Sequence, residues 1–252
     1  MIFRRLFSGS RPVKHDPHLP DGRRLYAIGD IHGRADLLSK MIQLIVEDLT
    51  RSPSPKALTV FLGDYIDRGP DSFGVLELLT AGVLPTDVVT LRGNHELMLL
   101  DFLSEATTGL IWRQNGGLET LHSYGLDVTD LRAGQNLVNL ANEFRQKLPV
   151  AHLAFIHNTT SWYTFGDYFF SHAGVRPGVP LEQQRERDLL WIRAEFLNSK
   201  AYHGKVVVHG HTPVMEPQVE DNRINIDTGA YISGRLTCLV LERSKQRFIV
   251  AD

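Results

Sequence analysis

Asp30 and His32 stand two residues apart, directly after the apolar run LYAI, in the segment GDIHG. At the end of a β-strand that spacing turns both side chains the same way. A carboxylate oxygen beside an imidazole nitrogen suits a divalent or trivalent first-row metal ion. Asp64 takes the equivalent place after LTVFL, in GDYIDRG, where a carboxylate can bridge two metals with one oxygen to each. Asn94, in RGNHE after VVTL, offers a neutral oxygen. His172 follows DYFF in SHAG, and the strand end KVVVHGHTP carries both His209 and His211. Spacing alone does not choose between those two. Any one of these histidines, taken singly, is better read as a core or rim residue satisfied by backbone. Six residues of compatible ligand type at five successive strand ends favour a shared reading, a centre for two cations.

These residues need a scaffold that brings distant turns together. The short β-branched and aromatic runs preceding them, each closed by a turn, are strand signals. Amphipathic helical segments follow three of the turns. The first has Leu37, Leu38, Met41, Ile42, Ile45 and Leu49 on one face, and the others span 72–79 and 96–105. Strands alternating with helices predict an α/β fold whose sites gather at the carboxyl ends of the strands. Between about 100 and 163 helical patterning dominates. Leu137, Leu140, Ala141, Phe144 and Leu148 keep a helical period until Pro149, which predicts a mostly helical insertion or cap. Near the end NRINID, RLTCLVLE and QRFIVA read as an antiparallel meander, so a second or mixed sheet is expected. Residues 1–22 read as a tail or extended arm, and 23–252 as one domain.

The chain has 252 residues, enough to bury a sizeable core in one domain. A net charge of −2 supplies no field for nucleic acid or an anionic membrane surface, so neither is expected as a partner. Cys238 is the only cysteine, which excludes a disulfide framework and a thiolate metal site. No stretch approaches the roughly 18 apolar residues of a membrane span. The start has no sustained apolar run to serve as a secretory leader, and a cytoplasmic protein is expected. Nothing in the sequence speaks to oligomeric state.

In this order GDIHG, GDYIDRG, GNHE, SHAG and HGHT resemble the signature of the calcineurin-like metallophosphoesterases, over roughly 25–229. The undivided GDYIDRG and GNHE forms resemble its phosphoprotein (serine/threonine) phosphatase branch, which also includes the symmetrical diadenosine tetraphosphate hydrolases. The resemblance implies two stacked mixed β-sheets flanked by helices. It implies a first metal on Asp30 and His32, Asp64 as the bridge, and a second metal on Asn94, His172 and His211. It thereby selects His211 over His209. Thr212-Pro213 replaces the second histidine of the GHxH form, which disfavours the nuclease branch. Two manganese ions are the expected cofactor, and iron or zinc fits the same donors.

A water shared by two such ions would be acidified towards neutrality and serve as the nucleophile. His95, beside Asn94, is the candidate general acid, and the resemblance supplies Asp67 as its carboxylate partner. Arg68 presents a planar fork for phosphate oxygens, as does Arg193 in DLLWIRAEF, which matches an LLWxR segment of bacterial members. Asn94 also lies within reach of a bound phosphate. The segment WRQNGG resembles one near the substrate mouth, where Asn115 could touch substrate, and Asp227 could support a ligand histidine. The expected function is phosphatase action on phosphoserine or phosphothreonine in a protein or peptide, with some tolerance for phosphotyrosine. The alternative is symmetrical hydrolysis of dinucleoside polyphosphates, diadenosine tetraphosphate among them, on the same metals. A catalytically inactive regulatory domain would lack a ligand or the acid, and none is missing.

Overall fold

Every residue of β1 (Arg24–Ile28) is buried, because the strand has a core on each of its faces. Leu25 and Ala27 point into one core and Tyr26 and Ile28 into another, as the period of two requires. These observations come from a computed structural model that describes residues 16–54, 56–129 and 136–252. The N-terminal tail expected over 1–22 therefore lies largely outside the described residues. Its last part packs on the domain, with Leu19 buried and its N–H bonded to the Arg243 carbonyl at 2.9 Å.

Two five-stranded mixed sheets form the centre. The first runs β10 (Lys245–Ala251), β9 (Leu236–Glu242), β1, β2 (Ala57–Phe61), β3 (Asp87–Thr90). In it β1, β2 and β3 are parallel, while β9 and β10 form an antiparallel edge. The second runs β4 (Trp162–Phe165), β5 (Tyr168–Ser171), β6 (Val206–His209), β8 (Arg223–Asn225), β7 (Gln218–Val219), with β5, β6 and β8 parallel. Leu25, Ala27, Leu58, Val60 and Leu239 of the first sheet meet Phe170, Val206, Val208 and Ile224 of the second. This shared apolar layer stacks the sheets face to face.

Helices cover the outer faces. The buried stripe of α1 (Ala35–Arg51) consists of Leu37, Leu38, Met41, Ile42 and Ile45, as its period predicts. α2 (Ser72–Thr80) and α3 (Asn94–Ser104) follow β2 and β3. The expected insertion is helical: α4 (Gly109–Trp112), α5 (Gly117–Ser123) and the helices Leu137–Lys147 and Val150–His157 lie between β3 and β4. Among the described residues no helix is long and apolar enough to cross a membrane.

The expected terminal meander is not formed. NRINID contributes β8, which pairs parallel with β6 in the second sheet, whereas β9 and β10 make a hairpin in the first. The reason is burial. Ile224 and Ile226 both belong to the layer between the sheets, and the chain must change sheets after Asp227 to reach β9. Alternation identifies a strand but does not name its partner.

The last turn of α1 buries a charge where the stripe would have an apolar residue. Asp48 accepts hydrogen bonds from the Tyr26 hydroxyl (2.7 Å), Arg24 (3.3 Å) and Arg247 (2.6 Å). Burial pushes the Asp48 carboxyl up, but these donors outweigh it and hold the group below the usual carboxylate value. Its contribution to stability is therefore present above the unfolded-state pKa and lost as pH falls through the lower, folded-state one. Asp48→Asn is expected to cost on the order of 2 kcal/mol, because the buried Arg24 keeps Glu242 and Ser52 as partners. Urea melts from pH 7 down to pH 3 should show the gap between wild type and variant closing with acid; a constant gap would refute the ion-pair account.

Candidate metal centre

The polar turns after β1, β2, β3, β5 and β6 converge at one rim, and backbone hydrogen bonds tie the first two together. The N–H groups of Ile31 and His32 both donate to the Asp64 carbonyl, at 3.1 and 2.8 Å. Next to them, Glu96 of α3 gathers three backbone donors: Gly93 at 2.9 Å, Asp64 at 2.9 Å and Tyr65 at 2.8 Å. This clasp lets the β3 turn press on the β2 turn. A Cβ at Gly93 would lie 2.0 Å from Asp64 Oδ1, so the close approach requires glycine.

Asp64 is the hub. Its Oδ1 accepts from the His95 N–H at 3.1 Å. Its Oδ2 lies 3.4 Å from His32 Nε2, 3.4 Å from His172 Nε2 and 3.7 Å from His95 Nε2. Oδ1 is committed to backbone, and Oδ2 alone faces both halves of the centre.

Two histidines are oriented by backbone carbonyls. His32 Nδ1 donates to Ile66 O at 2.9 Å and His172 Nδ1 to Leu62 O at 3.0 Å, which leaves both Nε2 atoms turned inward. Beyond His172 Nε2 lie Asn94 Oδ1 at 2.9 Å and His211 Nδ1 at 3.2 Å. Two clusters follow, His32–Asp64–His95 and Asp64–His172–His211, each with its ligand atoms mutually within 4.8 Å. They share Asp64, and together they are candidate sites for two metal ions. Asp30 approaches from behind: Oδ2 accepts from the His211 N–H at 3.0 Å, while the buried Oδ1 has no hydrogen-bond partner.

The electrostatics suit cations. Burial lowers His32 to about 3 and His211 to about 2, so both rings are neutral with a lone pair to offer. Burial alone would also lower His172, but Asp64, Asp30 and Glu96 outweigh it and raise the ring to about 9. The carboxylate-rich pocket therefore favours a positive charge beside His172, and a metal would compete with a proton for that place. Asp30 is pushed well up, first by burial and then by Asp227, whose own carboxylate accepts from Gly229 N at 2.9 Å. These are the shifts expected of donors crowded together without a counter-charge.

Around the hub the other expected residues take distinct places. His95 Nδ1 bonds to Asp67 Oδ2 at 2.6 Å, and its Nε2 is buried without a hydrogen-bond partner. Arg68 NH1 lies 3.1 Å from His32 Nε2, its guanidinium over the Tyr231 ring at 5.0 Å. Arg193 Nε donates to His211 Nε2 at 3.1 Å. Each half of the centre thus has its own guanidinium. His209 takes no part in either cluster; it is buried, with its ring 5.0 Å from that of Phe196. Asn115 donates to Ile111 O and lines a groove of about 420 Å³ with Arg68, Gly116 and Tyr231. A second groove of about 490 Å³, lined by Leu97, Glu186, Arg187 and Trp191, opens on the other side. The half-exposed Trp191 ring stands edge-on to His211, with centroids 6.1 Å apart.

Sequence patterning does not reveal Glu96 as a clasp, Tyr231 or Trp191 as rim aromatics, or Trp112. The last is fully buried and donates from Nε1 to Asp67 Oδ2 at 2.7 Å. Only the position of Glu96 three residues into its helix, the place of a capping carboxylate, carried a local signal.

Comparison with known proteins places this arrangement. The calcineurin-like phosphoesterase family model matches residues 23–234. Serine/threonine-protein phosphatase 1 of Salmonella typhimurium is 31% identical over 224 residues, covering 85% of this chain and 90% of the relative. Bis(5'-nucleosyl)-tetraphosphatase PrpE [asymmetrical] of Oceanobacillus iheyensis is 28% identical, covering 83% and 85%. Among solved structures, one described as a candidate diadenosine tetraphosphatase superposes with a TM-score of 0.62 at 20% identity, covering 91% of this chain and 94% of that one. A cold-active protein-tyrosine phosphatase of a Shewanella species gives 0.55 at 15% identity, covering 100% and 89%. With the family signature running from β1 through the last metal-site turn, the chain belongs to the calcineurin-like phosphoesterases, a family of metal-dependent hydrolases.

Proposed function

We propose that the chain hydrolyses dinucleoside polyphosphates, through two metal ions held by Asp30, His32, Asp64, Asn94, His172 and His211. The observation that carries the two-metal part is Asp64 Oδ2, one carboxylate oxygen 3.4 Å from an inward imidazole nitrogen on either side. Asp30 rather than His95 is assigned to the first ion. Among the described residues the buried Asp30 Oδ1 has no hydrogen-bond partner. Burial lowers His95, but Asp64 and Asp67 outweigh it and raise the ring above the usual imidazole value. A ring that keeps both protons is an acid and not a ligand.

When bound, the two ions supply Lewis-acid charge and an acidified water, and manganese is the first choice among the metals these donors suit. The chain's own residues do the rest. Arg68 and Arg193 leave their histidines to grip phosphoryl oxygens and balance charge that builds in the transition state. Water oxygen bonds to phosphorus as the bond to the leaving oxygen breaks. His95 gives that oxygen its Nε2 proton, while Asp67 holds the ring through Nδ1.

The nucleotide reading is supported by the PrpE relatives, by the 0.62 superposition, and by Trp191 beside the second metal cluster. An exposed aromatic face above a groove next to a phosphate site suits a nucleobase. The relatives are named asymmetrical, so unequal products, a mononucleotide and a nucleoside triphosphate, are expected from a tetraphosphate. A serine/threonine phosphoprotein phosphatase is the second reading, favoured by the 31% identical relative and by shallow grooves that a peptide could cross.

The manganese-loaded protein should show a kcat/KM for diadenosine tetraphosphate at least about tenfold above that for phosphoserine, phosphothreonine or phosphotyrosine peptides. Trp191→Ala should lower the nucleotide value by about tenfold, mainly through KM, since base stacking on an aromatic is worth about 1–3 kcal/mol. A preference for peptides would replace this reading by the second. The metal assignment is tested separately by elemental analysis. His211→Ala should lose about one of two bound ions and His209→Gln neither; equal loss in both variants would contradict the choice of His211.

A further inference from the structure

Asp67 and Arg68 form a consecutive pair of non-glycine residues in the left-handed region, with φ of 72° and 67°. Such a conformation is strained and persists only where surrounding contacts fix it. Those contacts come largely from the helical insertion. The Asp67 N–H donates to Thr120 Oγ1 at 2.9 Å, as well as to Ser72 Oγ at 3.0 Å. The Arg68 N–H donates to Gly116 O at 3.2 Å. The Asp67 carboxylate receives Thr120 Oγ1 on Oδ1 at 2.6 Å and Trp112 Nε1 on Oδ2 at 2.7 Å, the oxygen that also holds His95.

The indole has no freedom to leave. Its ring lies 5.1 Å from Phe102 of α3 and 6.1 Å from Phe144 of the helix Leu137–Lys147. On a third side is Gly117, where a Cβ would come within 2.5 Å of the ring. Trp112 is an apolar anchor with a single polar atom, and that atom is spent on the acid's partner.

We infer that Trp112 and Thr120 are positioning residues for proton donation: the insertion segment 112–120 fixes the Asp67 carboxylate, and through it aims His95 Nε2 at the leaving oxygen. The inference rests on the general-acid reading of His95 proposed above. With two insertion donors engaging Asp67 Oδ1 and Oδ2, the carboxylate plane cannot rotate, and the direction left for the His95 Nδ1–H is single. Loss of the indole N–H frees the carboxylate to turn towards Thr120 alone, and the imidazole follows it. The insertion is thus a working part of the site as well as a cover. The polar contacts of these two side chains are to Asp67 and Ser72, so their removal should leave phosphate binding and metal loading close to wild type.

The test is the dependence of rate on the leaving group. Phenyl phosphate releases a basic oxygen that needs a proton, whereas p-nitrophenyl phosphate releases a weakly basic one. Trp112→Phe keeps the ring and removes the donor. It is expected to lower kcat on phenyl phosphate about tenfold and on p-nitrophenyl phosphate about twofold, with little change in KM or bound metal. Thr120→Val should reproduce the pattern and Thr120→Ser should restore it, which guards against misreading a folding defect. In a His95→Asn background Trp112→Phe should add nothing, because both changes remove one function. Equal losses on the two substrates, or additive losses in that background, would overturn the role of Trp112. A His95→Asn variant that itself shows no leaving-group dependence would overturn the general-acid reading and the inference with it. The two failures are therefore distinguishable.

Discussion

The buried oxygen Asp64 Oδ2 sits at the meeting point of three imidazoles, and the rest of the structure exists to hold it there. Lone pairs brought this close repel unless a positive charge joins them. In a low-dielectric interior that repulsion is large. Burial lowers His32 and His211, whereas Asp64, Asp30 and Glu96 outweigh burial at His172 and raise it. A cation at each cluster would relieve the same conflict. The same crowding of donors is what makes the two clusters candidate sites for metal ions.

Holding such a centre strains the backbone. His32, Asp64, Asp67, Arg68 and His211 all have positive φ, between 46° and 72°. At about 1 kcal/mol or more each, the site carries on the order of 5 kcal/mol of conformational cost. The offset is local and polar. The Glu96 carboxylate takes up three N–H groups of two turns, and the Asp64 carbonyl takes up two more from the β1 turn. It is also architectural, because β1, β2, β5 and β6, which carry four of the five turns, are buried along their whole length. Strand ends that cannot move turn a set of mobile side chains into a preorganised site.

How much of this was legible in the sequence depended on the distance over which each feature is defined. That Asp30, His32 and Asp64 share one rim could be read because strand ends are local signals. The two mixed sheets and the helical insertion followed from patterning and family resemblance, and the structure has both. The terminal meander failed because Ile224 and Ile226 say only that a strand is buried, while pairing is decided by which layer buries it. Trp112 reaches Asp67 across 45 residues of chain, and nothing near either residue announces the other. The division of labour between Asp64 Oδ1 and Oδ2 was equally hidden. It follows from a left-handed backbone at Asp64 and an N–H at His95, neither of which a motif displays.

The relatives divide between protein phosphates and dinucleoside tetraphosphates, and the geometry gives a physical reason why one centre can serve both. Attack on phosphorus needs the same two clusters and the same two guanidiniums in either case. The substrates differ in what departs. A nucleoside phosphate is a weakly basic leaving group, and it gains little from a donated proton. A serine or threonine alkoxide is strongly basic and requires one. As a proton donor, His95 held by Asp67, Trp112 and Thr120 would meet the more demanding of the two reactions, so the chemistry at the centre does not choose between them. Choice passes to the rim. There the two sides are unlike: Arg68 lies over Tyr231 beside a polar groove, and Arg193 leads to Trp191 and a groove with Leu97, Glu186 and Arg187. That inequality gives the one centre two chemically different approaches, one past Arg68 and Tyr231 and one past Arg193 and Trp191. The side chains that make the two sides unlike, Tyr231 on one and Trp191 with Arg193 on the other, are ones that the metal-ligand motifs do not contain.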